Sequence, residues 1–317
     1  ASLRRASSAI INPMILVTGG TGFVGRALVR QLVNMGHPVR LLLRPSAQSP
    51  SLPRGVPVEV AMSSLRDERG LRAAMKGVRV VYHLAGAERQ GLRADLEGVD
   101  VEGSQNVAAT ATQAGVERIF YLSHLGADRA SAYPVLKAKA LAEGAIQASG
   151  VPFTIFRSAH VFGPGDQFTT SLAGLVRLTP LIFFMPGDGS SLLQPIWIED
   201  LITCLTLSLS LPETVNHSYE IGGAEYFSFR QVVEKVMAVT GQRRYIVDVT
   251  PAYLRSVAVF LEQSLPSFPI SLYWFDTLAS DRICGLDTLP RQFGLMPSRM
   301  GQNFDYLSSG GKKRRKG

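Results

Sequence analysis

The chain has 317 residues, a hydrophobic share of 46%, two cysteines and a formal net charge of +8. That length allows two small domains or one domain with an elaborated lobe, and the apolar share supports a sizeable core and excludes a disordered composition. Five of the positive charges form the run Lys312-Lys313-Arg314-Arg315-Lys316, leaving +3 for the body and no nucleic-acid footprint, while two scattered cysteines point to neither a disulfide framework nor a metal site.

Residues 1–13 hold two arginines, three serines and no acid. They read either as the remnant of an organellar leader or as an extension ahead of Met14. Residues 14–17 form a short apolar run, the pattern of a buried strand. The turn Thr18-Gly19-Gly20-Thr21-Gly22-Phe23-Val24-Gly25 follows, and a helix is predicted over residues 22–35. Gly19, Gly22 and Gly25 supply a tight turn, backbone that can approach a pyrophosphate, and close helix–strand packing. The helix aims free N–H groups and its positive dipole end at the phosphates. A second strand covers residues 39–43 and ends at Arg44, with no acid until Glu59. An NAD site usually places a carboxylate there, which would repel a 2′-phosphate, whereas a guanidinium pairs with one bidentately. The expected cofactor is NADP(H).

Alternation then continues. Strands are predicted at 56–60, 78–84, 118–122 and 153–156, and helices at 71–75, 101–114 and 136–148. This predicts an α/β fold with a Rossmann-type doubly wound parallel sheet over residues 14–162. The carboxyl ends of its strands line up Gly19, Arg44, Leu84, Ala85, Gly86 and Ser123. Beyond 162 the loops Gly163-Pro164-Gly165 and Pro186-Gly187-Asp188-Gly189 mark a smaller C-terminal substrate lobe over 163–307, with returns to the sheet allowed, before a basic tail at 308–317. Asp166 and Asp188 read as turn residues. Residues 201–211 suit a buried helix around Cys204, and no apolar run is long enough to span a bilayer. Leu254, Val257, Ala258, Leu261 and Leu265 recur at helical spacing ahead of Leu272-Tyr273-Trp274-Phe275, a stripe expected to be core or a lid, with a membrane- or partner-facing element as the other reading. His37, His83 and His217 have no partner at metal-ligand spacing, and no metal site is expected.

Tyr133 and Lys137 stand four apart at a helix start, within reach of one face. An ammonium beside a phenol favours phenolate and makes tyrosine a usable acid/base. Ser123, ending the preceding strand, is placed to hold a substrate carbonyl; the adjacent His124 reads as a loop-packing residue. Pro134 disfavours helical backbone at Tyr133 and makes it a cap residue.

The glycine turn, Tyr82-His83-Leu84-Ala85-Gly86, Val101-Glu102-Gly103-Ser104-Gln105-Asn106-Val107, Tyr121-Leu122-Ser123-His124-Leu125-Gly126-Ala127 and Arg157-Ser158-Ala159-His160-Val161-Phe162-Gly163-Pro164-Gly165-Asp166 resemble the short-chain dehydrogenase/reductase superfamily over nearly the whole chain from Met14 to Leu307. The resemblance is to its extended and atypical branches. Within them it is strongest to the nucleotide-binding accessory subunit of respiratory complex I and its bacterial relatives, which Gln194-Pro195-Ile196-Trp197-Ile198-Glu199-Asp200 also fits. It implies cofactor contacts from Gly19, Thr21, Gly22, Phe23, Val24, Gly25, Arg44, Leu84, Ala85, Gly86 and Lys137. It also implies that His160 and Val161 lie against the nicotinamide, and that Ser123, Tyr133 and Lys137 carry catalysis. Two departures stand out. Ser63-Ser64-Leu65 replaces the Gly-Asp-Leu common in relatives, and only ten positions separate Ser123 from Tyr133.

Two functions follow as expectations. One is an NADP(H)-dependent oxidoreductase or epimerase acting on a carbonyl or hydroxyl group of an unidentified small molecule. The other is a non-catalytic nucleotide-binding accessory or assembly subunit of a respiratory or photosynthetic membrane complex, attached to complex subunits or anionic lipid through 253–275 and 312–316. Either places the protein in the cytoplasm or on the matrix side of an organelle, peripheral to a membrane in the second case.

Overall fold

A computed structural model describes residues 12–46, 55–264, 273, 276, 278 and 280–308. The extension through residue 11, most of 265–279 and the basic run 312–316 lie outside the described residues.

Buried parallel strands need apolar side chains on both faces, and β1 (Ile15–Thr18), β2 (Val39–Leu43), β4 (Val80–His83), β5 (Arg118–His124) and β6 (Phe153–Ser158) satisfy this. With β3 (Glu59–Met62) and β11 (His217–Ile221) they form one parallel sheet in the order β11-β6-β5-β4-β1-β2-β3. The strand order reverses between β1 and β4, where doubly wound sheets bind ligands. The strand expected at 56–60 lies three residues further on. It is an exposed edge strand, so burial does not set its register; the Arg40 guanidinium of β2 reaches Glu59 at 2.8 Å across the pairing Arg40↔Glu59.

Helices cover both faces. On one side α1 (Phe23–Asn34) buries Phe23, Leu28, Val29 and Leu32 against the sheet and against α6 (Ile198–Leu207), whose Leu201, Ile202, Cys204 and Leu205 belong to the same core. On the other side α2 (Glu68–Ala74), α3 (Glu102–Ala114) and α4 (Pro134–Ala148) enclose Leu71, Val107, Ala111, Ala142 and Ile146. Each buried Leu or Val contributes about 1.5–3 kcal/mol. The chain after 163 therefore does return to the sheet, through α6 and β11.

The remaining elements build a separate apolar cluster. It packs α5 (Phe168–Leu178) against α7 (Phe229–Thr240), with Phe183 and Met185 of β8 (Ile182–Pro186) beneath. Short pairs β7 (Val161–Phe162) with β10 (Ile196–Trp197), β9 (Leu192–Leu193) with β12 (Phe227–Ser228), and β8 with β13 (Tyr245–Val249) complete this lobe. The stripe expected over 254–265 forms α8 (Pro251–Ser264) and is covered in part: Ala258 is buried and Leu254, Val257 and Leu261 are half-buried, while Tyr253 and Phe260 stand exposed and Leu265 lies outside the described residues. Among the described residues no helix is long and apolar enough to cross a membrane, and no group of three or more His, Cys, Asp or Glu could hold a metal ion.

Candidate active site

The glycine turn is tight because its contacts are backbone to backbone. Gly19 has φ +71°, and a Cβ there would lie 2.6 Å from the Leu84 carbonyl. That close approach seats Leu84, Ala85 and Gly86 against the turn. Gly22 N–H donates to Gly19 O at 3.0 Å, and a Cβ on Gly25 would lie 2.2 Å from the same oxygen. At Gly22, by contrast, a Cβ would meet only Gly19 O, at 3.2 Å. Gly22 caps α1 without any side-chain hydrogen bond, leaving the helix start open to an anion. Thr21 O accepts from the Arg26 guanidinium at 2.7 Å, and half-buried Val24 follows buried Phe23. Arg44 is exposed at the end of β2, with no ion-pair partner among the described residues. An open helix start and a backbone cradle fit a dinucleotide.

A relay of hydroxyls and one imidazole braces the crevice. Thr18 Oγ1 lies 2.6 Å from His83 Nδ1, and His83 Nε2 lies 2.9 Å from Ser104 Oγ, which itself donates to Asp100 O. Nε2 therefore carries the proton and Nδ1 accepts from Thr18. Burial, and then the Lys139 charge, lowers the His83 pKa to about 3, so the ring is neutral and structural.

The expected catalytic residues lie at the end of β5 and the start of α4. Ser123 is buried, and its hydroxyl donates to Glu143 Oε1 at 2.5 Å; Glu143 is in turn gripped by Arg157 at 2.6 Å. Tyr133 is the N-cap of α4 in extended conformation, as Pro134 favours, and its carbonyl accepts from Lys137 N–H at 3.1 Å. Lys137 is exposed. Lys139 is the buried lysine, 3% accessible, with its ammonium 2.9 Å from Asp100 Oδ1 and 3.8 Å from Glu88 Oε2. A Cβ on Gly86 would lie 2.9 Å from that ammonium, so Lys139 sits directly under the end of β4. At 100° per residue Lys137 lies opposite the face formed by Val135, Ala142 and Ile146, whereas Lys139 falls within it. That pattern was available in the sequence.

His160 stacks 4.7 Å from Phe168, and burial, followed by the His124 and Arg282 charges, lowers its pKa to about 3. Val161 pairs with Ile196, and a Cβ on Gly163 would touch Phe23 Cζ at 3.3 Å, which brings this loop to the start of α1. Asp166 is occupied in turn formation, accepting from Gly163 N, Thr169 N and Thr170 N. Sequence reasoning did not single out Arg282. It is buried, donates Nη1 to Leu125 O at 3.0 Å, has no partner for Nε and Nη2 among the described residues, and lies within the electrostatic reach of Tyr133.

Residues 19–170 match the NAD(P)H-binding family, and the chain carries an NAD(P)H-binding domain. It is 28% identical over 319 residues to the mitochondrial NADH dehydrogenase [ubiquinone] 1 alpha subcomplex subunit 9 of Arabidopsis thaliana, covering 90% of this chain and 76% of that protein. It is 28% identical over 271 residues to sterol demethylase protein B of Methylococcus capsulatus, covering 77% of this chain and 80% of that one. The solved Citrobacter sp. triphenylmethane reductase complexed with NADP(H) shares the fold, with a TM-score of 0.71 at 19% identity over 93% of this chain and 98% of that one.

Proposed function

We propose that the chain is an NADP(H)-dependent oxidoreductase of the reductase or epimerase type, acting on a carbonyl or hydroxyl group. The observation that carries the nucleotide choice is Arg44, exposed and without an ion-pair partner among the described residues where a carboxylate would repel a 2′-phosphate. The glycine turn holds the pyrophosphate. Leu84, Ala85, Gly86, His160 and Val161 flank the nicotinamide, which when bound supplies or accepts hydride. Lys137, exposed at the start of α4, contacts the cofactor, and the buried Lys139 supports the strand end through Asp100. Tyr133 handles the substrate proton, with the Arg282 guanidinium as its neighbouring cation. Ser123, fixed by Glu143, shapes the strand end.

Arg44→Asp should weaken NADPH binding by about 1.5–3 kcal/mol, the scale of a lost charge-assisted bond, with little effect on NADH. Calorimetric titration measures this, and tighter NADH than NADPH binding by the parent protein would remove the assignment. Tyr133→Phe should lower NADPH-dependent turnover of carbonyl substrates by roughly a hundredfold to ten-thousandfold while leaving NADPH affinity unchanged. Undiminished turnover would move the proton donor to His124, whose Nε2 lies 3.8 Å from Glu88.

A second reading is a nucleotide-stabilised accessory subunit of a membrane complex. It is favoured by the engagement of Lys139 with Asp100 and of Ser123 with Glu143, and by the similarity to the plant NADH dehydrogenase subunit. Purification of the native protein together with membrane-complex subunits, and without turnover, would establish it over the first.

A further inference from the structure

We propose that the outer face of the β8–β13 ribbon docks on an anionic lipid bilayer. Strand periodicity gives this ribbon two faces. Phe183 and Met185 point into the lobe core, whereas Ile182, Phe184, Tyr245 and Val247 point outward, aligned by the pairings Tyr245↔Ile182 and Val247↔Phe184. Leu178 and Leu181 extend the same run, Leu181 O accepting from Tyr245 N at 2.9 Å. Accessibility reaches 79% at Tyr245, 69% at Leu181 and 50% at Phe184, an exposed apolar cluster of the kind that marks an interaction surface. The chain continues directly into α8, whose exposed Tyr253 and Phe260 lie two turns apart on one helix face.

Charge and chain direction select lipid over a second copy. Arg177 and Arg243 are exposed beside the apolar residues, and the adjacent acid Asp248 is paired with Arg230. The described chain ends at Ser308, next to this face, because Arg177 Nη2 donates to Leu307 O at 3.0 Å. Lys312 follows within an extended reach of about 14 Å. Five consecutive basic residues, Lys312-Lys313-Arg314-Arg315-Lys316, follow in the sequence. Apolar and aromatic side chains rimmed by arginine, with a polybasic run a few residues further along the chain, match the chemistry of a negatively charged membrane surface. Identical faces carrying these charges would repel each other.

The test is co-sedimentation of the full chain with phosphatidylcholine vesicles, with and without phosphatidylglycerol. The protein should pellet with the anionic vesicles, lose binding as salt rises, and remain in solution with phosphatidylcholine alone. Phe184→Glu combined with Tyr245→Glu should lower binding at least about tenfold, since two aromatic side chains no longer enter the interface. Both positions are exposed, so the melting temperature should match the parent's. Truncation after Ser308 should lower the salt concentration at which binding is lost. Parent protein left in the supernatant with anionic vesicles would overturn the proposal, as would undiminished binding by the double variant. A concentration-dependent dimer abolished by the same substitutions, without vesicle binding, would also overturn it and give the face to a second copy.

Discussion

Gly22→Val is expected to abolish dinucleotide binding while the chain stays folded. Gly22 has φ −70° and ψ 175°, a conformation open to any residue, and a Cβ there has only Gly19 O within 4 Å, at 3.2 Å. The backbone therefore accepts valine with a shift of a few tenths of an ångström. The added methyl groups would stand at the start of α1, where the pyrophosphate must meet free N–H groups. Losing even two charge-assisted bonds of about 1.5–3 kcal/mol each lowers affinity by at least about a hundredfold. Gly25→Val is the contrasting variant, because its Cβ would lie 2.2 Å from Gly19 O and 2.7 Å from Gly20 Cα. That substitution should damage the fold itself. NADPH fluorescence titration beside thermal melting separates the two effects. Parent affinity in Gly22→Val would take the glycine turn out of the binding site.

Lys139→Met should destabilise the protein by about 3–5 kcal/mol at neutral pH, the range for breaking a buried ion pair on one side. Asp100 is 1% accessible and accepts from Ala87 N–H, so it cannot turn outward to water. Burial opposes the charged form of Glu88, but the Lys139 ammonium outweighs it, and with His124 holds the carboxyl well below the usual carboxylate range. Without that ammonium, only His124 and a backbone hydrogen bond would be left to oppose burial, and the Glu88 carboxyl would rise. The sign with pH follows: the parent loses this stabilisation as pH falls below the carboxylate range, while the folded variant takes up a proton and recovers. The deficit of the variant should therefore narrow in acid. Denaturant unfolding at several pH values measures it, and a loss under about 1 kcal/mol would mean that water reaches the cluster.

The legible parts of the chain are those whose physics is local. Strands β1 and β2 read directly because buried parallel strands are continuous apolar runs, and Pro134 announced the cap conformation of Tyr133. The edge strand β3 lies further along the chain than predicted because its residues are largely exposed and leave no apolar pattern to fix its bounds. Helix α8 carries a core-like stripe that is only partly covered by the described residues, with Ala258 buried and Leu254, Val257 and Leu261 half-buried; apolar periodicity reports that a face seeks cover, not what covers it.

The sequence by itself determined the dinucleotide turn. Gly19, Gly22 and Gly25 fall within seven residues, and their contacts with one another are backbone contacts that neighbouring chain geometry enforces. Helical periodicity already turns Lys139 inward, but only the tertiary structure decided what its ammonium meets there. Lys139, Asp100 and Glu88 come from α4, the turn before α3 and the loop after β4, and no local rule relates them. Arg282 reaches Leu125 from the far end of the chain in the same way. Charges buried at a shared strand end are coupled by distance in space, which packing sets.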